Sequence, residues 1–391
     1  MGIIGLLNST TGFISALTNF GLSTSAVKDV AEAYGSGIQD RFRFVITVFR
    51  RAVWFTGLLG AVVVLVLAPW LSEITFGNRD YTYAFILISI TILIDQVSNG
   101  LSVQLRGMRQ IGYLAKASLI GSMLGLFTTI PIYYLFGIDA IVPGILITSL
   151  FTLFLFWYYA RKTPVSNVAV SRVQTIDGVK GMMQLGFMIS LSGMISIGAS
   201  YLVRLYISNI GGIEEVGLYS AGFAIVTSYG GLVFAAMSAD FYPRLSAVAK
   251  DNEQSKKIIN HQTEIALLII SPIILTFLVF INWVVILLYS SKFIAINDML
   301  LYATMGMFFR VTSWTLAYII LANGASKLYF WSESITNFYL LALNLLGYKL
   351  FGLSGLGISF LIAYTLYLIQ VYIIANYKFE FEFGKGFYKI F

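Results

Sequence analysis

Residues 52–71 read AVWFTGLLGAVVVLVLAPWL. None of them is charged, and a helix wound from them is apolar on nearly every face. At about 1.5 Å per residue the run covers the roughly 30 Å hydrocarbon core of a bilayer. A barrel strand would alternate over about ten residues, so the segment reads as a membrane-spanning helix.

Ten more runs of this kind, about 19 to 26 residues each, lie on either side of it. They cover 3–22, 83–101, 114–134, 138–158, 182–207, 218–238, 265–289, 299–322, 329–350 and 353–375. The composition agrees: 58% of the 391 residues are hydrophobic, 11% are charged, and the mean hydropathy is +0.83. Soluble chains carry roughly 25% charge. The fold class expected is therefore an all-α integral membrane protein. With no cysteine and one histidine, disulfide frameworks, thiolate zinc sites, iron–sulfur centres and His-rich metal sites are excluded, and no metal or cofactor is expected. The net charge of +7 does not point to nucleic acid, because the basic residues sit in short loops between apolar runs.

Those loops set orientation, since cytoplasmic loops retain Lys and Arg. One alternate set holds Lys28, Arg41, Arg43, Arg50, Arg51, Arg106, Arg109, Lys116, Arg161, Lys162, Arg172 and Lys180. It continues with Arg244, Lys250, Lys256, Lys257, Lys327, Lys378, Lys385 and Lys389. The opposite set holds Arg79, Arg204, Lys292 and Lys349. The richer set is assigned to the cytoplasm together with the C-terminus, which with eleven helices leaves Met1 outside. His261 is expected to be solvated at the cytoplasmic approach to its helix, and Pro272 to kink that helix.

An internal repeat accounts for this parity. Gly5-Leu6 recurs as Gly217-Leu218, Trp70 as Trp283, Ser98 as Ser313, Leu101 as Leu316, and Phe136-Gly137 as Phe351-Gly352. The run at 182–207 then has no counterpart in the first half, so a helix ahead of Met1 is expected. Restoring it gives twelve helices in two parallel six-helix repeats with both termini in the cytoplasm. The domains read as an N-terminal transmembrane lobe at 1–160, a cytoplasmic linker at 161–181, and a C-terminal lobe at 182–391.

Gly2-Ile3-Ile4-Gly5-Leu6-Leu7, followed by Asn19-Phe20-Gly21-Leu22, resembles the second helix of the polysaccharide exporters of the multidrug/oligosaccharidyl-lipid/polysaccharide superfamily, which includes O-antigen flippases. Glu215-Val216-Gly217-Leu218-Tyr219 is its partner in the second half. Where many relatives have an Asp-Arg pair, this chain has Val203-Arg204. The resemblance implies two helical lobes around a central cavity. It also implies translocation of an undecaprenyl-pyrophosphate-linked oligosaccharide across the bacterial cytoplasmic membrane, for O-antigen, capsule or exopolysaccharide synthesis.

The residues themselves mark candidate sites. Asn8, Thr11, Ser15, Thr18 and Asn19 form a polar stripe on an apolar rod. It reads either as packing between helices or as a wetted wall that hydrogen-bonds sugar hydroxyls. Asp95 and Arg310 lie roughly 16 to 18 Å from the outer ends of their runs, near the bilayer midplane. A charge there costs on the order of 2.5–3.5 kcal/mol, so each needs compensation. Local satisfaction and a structural ion pair are two readings; a substrate pyrophosphate on Arg310 or a coupling cation on Asp95 is the other. Arg204 either snorkels to the interface or contacts substrate. Arg50 and Arg51 serve either the loop charge bias alone or the guidance of a phosphate. Phe379-Glu380-Phe381-Glu382-Phe383 is expected to lie at the interface as an aromatic anchor.

Three functions fit. The first is the flippase, the second a cation-coupled small-molecule exporter of the same superfamily. The third, a membrane polysaccharide polymerase or ligase, ranks last because the outer loops are short and no nucleophile–base constellation is present. The expected partners are the lipid-linked oligosaccharide, membrane lipids and, by contact, polysaccharide assembly proteins.

Overall fold

A computed structural model describes every residue except 1–6, 8–10, 13, 16 and 167, and the side chains of 138, 139, 229 and 232 are also left aside. Among the described residues all regular structure is helical. A bend at Phe20 and Gly21 separates the N-terminal helical residues from α1, Leu22–Gly35. Then come α2, Gln39–Phe76; α3, Thr82–Gly107; α4, Ile111–Phe136; and α5, Ile141–Ala160. The rest are α6, Arg172–Ala247, which breaks into two helices at Gly212 with φ 85° and ψ 175°; α7, Asn252–Leu288, kinked at Phe280; α8, Asn297–Ala322; α9, Ser326–Phe379; and the short α10, Phe387–Ile390. Eight helical stretches of the described residues are long and apolar enough to cross a membrane. The chain is a multi-pass membrane protein.

Several helices run past the apolar segments at their basic ends. α2 begins at Gln39 and α7 at Asn252, thirteen residues before residues 52 and 265, where the apolar runs start. Apolarity marks only the part of a helix inside hydrocarbon, whereas backbone hydrogen bonding continues wherever caps and propensity permit. α1 escaped the sequence reading for the same reason. It is amphipathic rather than apolar, with Leu22, Ala26, Val27 and Val30 buried.

The chain divides into two compact units, 1–190 and 191–391. In the first, Leu7, Ile14, Val64, Phe85, Ile88 and Ile92 form a core. Here α4 and α5 pack antiparallel, because Gly125 lies against Thr148 and Gly121 against Thr152. The reversal follows Gly137, at φ 59° and ψ −133°.

In the second unit, Val203, Ile207, Ile225, Met299, Leu300, Met307, Leu356 and Phe360 form a core around α8. Helix α9 breaks at Gly352, with φ 59° and ψ −139°. Across the break Gly347 touches Gly355 backbone to backbone. Farther out, Ser359 donates to the Leu343 carbonyl at 2.6 Å, Tyr367 to Glu333 at 2.5 Å and Gln370 to the Ser332 carbonyl at 3.0 Å. Partners that step outward together from one break define an antiparallel helical hairpin.

The aromatic tail differs from the interfacial anchor that the sequence suggests. Phe381 is 1% exposed, Phe383 stacks on Phe387 at 3.7 Å, and Phe387 joins a core with Ala266, Leu267, Ile270 and Val311. Asn260 of α7 fixes the segment by donating to the Glu382 carbonyl at 3.1 Å and accepting from the Gly384 amide at 2.8 Å. Three phenylalanines at alternate positions bury more area against the unit than at an interface, and the tail's backbone groups find partners there.

Candidate functional site

The polar stripe at the N-terminus divides into two kinds of residue. Thr11 and Thr18 are buried, and each hydroxyl donates one turn back, to the Leu7 carbonyl at 2.7 Å and the Ile14 carbonyl at 3.0 Å. A Cβ on Gly60 would sit 2.7 Å from Thr18 Oγ1, so α2 approaches closely there. Ser15 is half-buried. Asn19 reaches across helices: its carboxamide oxygen accepts from Gln96 Nε2 at 3.0 Å and its nitrogen donates to Ser23 Oγ at 3.1 Å. Gln96 also donates to Thr56 Oγ1 at 2.9 Å. Asn8 lies outside the described residues.

Asp95 is next to Gln96 on α3 but points elsewhere. Gln96 is buried, whereas Asp95 is exposed on its unit's surface, with the Ser149 hydroxyl of α5 near enough to favour its charge. One hydroxyl satisfies one of the roughly four lone-pair sites of a carboxylate, and room remains for a cation or a proton.

Arg310 occupies the second unit, half-buried on α8. Its guanidinium carbon lies 5.2 Å from the Tyr364 ring centroid, 5.5 Å from that of Phe234 and 5.9 Å from that of Phe360. Nη1 meets Met307 Sδ at 3.8 Å. Among the described residues of its unit no carboxylate lies at ion-pairing distance. Aromatic faces attract a cation through their quadrupole yet accept none of its in-plane N–H bonds. The cage thus holds the charge in an apolar region and leaves the planar fork of donors for an anion, the geometry that suits a phosphate oxygen pair.

Arg204 is exposed on α6, within electrostatic reach of Tyr219. No hydrogen bond or ion pair among the described residues joins it to Arg310.

A further carboxylate, absent from the sequence reading, is Glu333. It lies within the apolar run 329–350 and takes the Tyr367 hydroxyl across the α9 hairpin. Beside it Gln370 Nε2 donates to Ser332 Oγ at 2.9 Å. An acid inside a membrane run was the signal available. Four residues from one end of the run, an acid has no sequence feature that separates a partnered residue from one reaching the interface.

Sequence comparison adds to this geometry. The lipid III flippase of Escherichia coli K12 is 21% identical over 342 residues, 87% of this chain and 81% of that protein. A putative O-antigen transporter of Shigella flexneri is 24% identical over 335 residues, 84% of this chain and 78% of its own length. Among solved structures, the crystal structure of a MATE P26A mutant superposes with a TM-score of 0.84 at 16% identity, covering 96% of this chain and 87% of that one. An outward-facing multidrug resistance MATE transporter of the MOP superfamily gives 0.82 at 14% identity, covering 96% and 87%. The fold is that of a MATE-like transporter. Residues 1–298 match the family described as polysaccharide biosynthesis protein, so this chain belongs to that family.

Proposed function

We propose that this protein is a flippase that carries an undecaprenyl-pyrophosphate-linked oligosaccharide from the inner to the outer leaflet of the bacterial cytoplasmic membrane. The observation that carries the reading is Arg310, an aromatic-caged cation on a membrane helix with no acid partner among the described residues of its own unit. Such a group is costly unless an anion uses it, and a pyrophosphate head supplies one. The relatives named as a lipid III flippase and an O-antigen transporter support a lipid-linked glycan as the cargo.

In this reading Arg310 binds the pyrophosphate, Arg204 meets it or the sugars nearer the outer face, and the stripe of Asn8, Thr11, Ser15 and Asn19 flanks the sugar path. Asp95 takes the coupling cation. The finer architecture belongs to the same proposal: a twelve-helix plan of two parallel repeats, lobes at 1–160 and 182–391 around a central cavity, a cytoplasmic C-terminus, and contact with polysaccharide assembly proteins. The matching backbone at Gly137 and Gly352 supports the repeat.

The test is deletion of the gene in its host. One surface glycan should disappear while its lipid-linked unit accumulates inside. Unchanged surface glycan in a strain without a second flippase would overturn the assignment. Cation-coupled export of a small molecule is the second reading, favoured by the exposed Asp95 carboxylate beside Ser149. It predicts cation-dependent efflux of an amphipathic compound and no accumulated intermediate.

A further inference from the structure

The first unit contains a groove of about 870 Å³ between α2, α3, α5 and the segment that follows α5. Its walls are apolar, with Leu93 and Val97 from α3 and Leu150 and Phe154 from α5. Its mouth is basic, formed by Arg50 and Arg161, with Gln104 between α2 and the linker. Arg50 donates to Gln104 Oε1 at 3.0 Å and to the Val165 carbonyl at 3.4 Å, which places its charge at the rim. The Arg161 guanidinium lies over the Trp157 ring, 3.8 Å from its centroid. Stacking uses the face of that group and leaves its edge donors for an acceptor in its plane.

The dimensions identify the occupant. From Leu93 to Gln104 along α3, and from Leu150 to Arg161 along α5, the wall is about 16 Å long at a rise of about 1.5 Å per residue. That is half of a roughly 30 Å hydrocarbon core, the depth of one leaflet. The cations lie at only one end, beside loops that carry the chain's excess of Lys and Arg, and Trp157 lies at the same level, where indole rings favour the headgroup region. A ligand with an anionic head at that level and an apolar tail confined to one leaflet matches charge and length together. We infer that the groove is a binding site for one anionic glycerophospholipid, its phosphate between Arg50 and Arg161 and an acyl chain along Val97, Leu150 and Phe154. This inference does not depend on the transport reading.

The site has a structural consequence. Val165 belongs to the segment that leads to α6, and Arg50 already bonds to its carbonyl. Its neighbour Arg51 donates to the Val170 carbonyl at 2.8 Å and to Thr175 Oγ1 at 2.7 Å. A phosphate at Arg50 therefore acts on the group that straps this segment to the membrane face of the unit.

The test uses the purified, delipidated full chain in detergent, titrated with dioleoylphosphatidylglycerol or dioleoylphosphatidylcholine and read by native mass spectrometry. Phosphatidylglycerol should bind about tenfold tighter, as expected for two cations worth roughly a few-fold each at the membrane surface. Arg161→Gln, at an exposed position, should lower that preference about threefold and leave phosphatidylcholine binding unchanged. Leu150→Trp, which fills the groove without touching the cations, should abolish the tight phosphatidylglycerol site. Equal binding of the two lipids, or a preference unchanged in both Arg161→Gln and Leu150→Trp, would overturn the inference. Displacement of phosphatidylglycerol by an equimolar amount of a polyprenyl phosphate would also overturn it, and would make the groove an entry path for substrate.

Discussion

Gly137 and Gly352 share one backbone conformation, φ 59° with ψ −133° and φ 59° with ψ −139°, and each follows a phenylalanine where two antiparallel helices reverse. A side chain at either position is strained, and no neighbour lies within 4 Å of the Cβ position to add a steric cost. Gly137→Ala and Gly352→Ala should therefore each destabilise by about 1–3 kcal/mol, the cost of a sparsely populated backbone region. Thermal unfolding of the purified variants checks this; a Gly352→Ala protein as stable as the parent would show that the hairpin does not depend on the glycine.

Arg310 should separate folding from transport. Arg310→Ala relieves an uncompensated cation and leaves a cage of aromatic and thioether groups, so membrane protein levels should remain near those of the parent while transport falls at least about tenfold. Arg310→Lys should retain part of the activity, because a point charge persists without the bidentate fork. Both quantities are measured in one complementation strain by immunoblot and surface-glycan assay. Full transport by a well-expressed Arg310→Ala protein would remove Arg310 from the substrate path.

Asp95→Asn keeps an oxygen that can accept from the neighbouring Ser149 hydroxyl and removes the charge. Folded protein should be little changed. If the carboxylate takes the coupling cation, transport should lose its dependence on the ion or proton gradient, which reconstituted vesicles with imposed gradients would reveal. Gradient dependence equal to that of the parent would assign Asp95 another task.

The Tyr367–Glu333 bond predicts an asymmetric pair of variants. Tyr367→Phe leaves the carboxylate without this donor inside the hairpin and should destabilise by about 1–3 kcal/mol. Glu333→Gln keeps an acceptor for the hydroxyl and removes the charge, so it should cost less. Thermal unfolding ranks the two, and the reverse order would show that the hairpin depends on the charge rather than on the bond.

Gln96 ties Asn19 to Thr56. Gln96→Leu should cost about 0.6 kcal/mol for each bond lost and no more than about 1.7, the average and the maximum found for polar bonds between membrane helices. The yield of folded protein after detergent extraction reads the change, and an unchanged yield and unfolding temperature would show that the link contributes nothing.

Residues 52–71 needed no structure to be placed: no charge in twenty residues leaves the bilayer as the only medium that accepts them, and in the bilayer a backbone of that length must satisfy itself as a helix. Gly137 and Gly352 were equally legible, because Phe-Gly recurs where a turn must fall between two apolar runs. Arg310 and Asp95 were found by a local rule, that an ionisable residue in hydrocarbon is expensive. What surrounds them was not legible. The rings about Arg310 come from α6 and from the far half of α9, separated from it by 76 and by 50 to 54 positions in the chain. Helical periodicity relates neighbours three or four residues apart and carries nothing about which faces meet across such distances. The Tyr367 partner of Glu333 and the buried aromatic tail share that cause. The sequence determined that the chain crosses a membrane as helices and where its rare charges lie; tertiary packing alone decided which side chains surround each of them, because the faces that meet come from helices far apart in the chain.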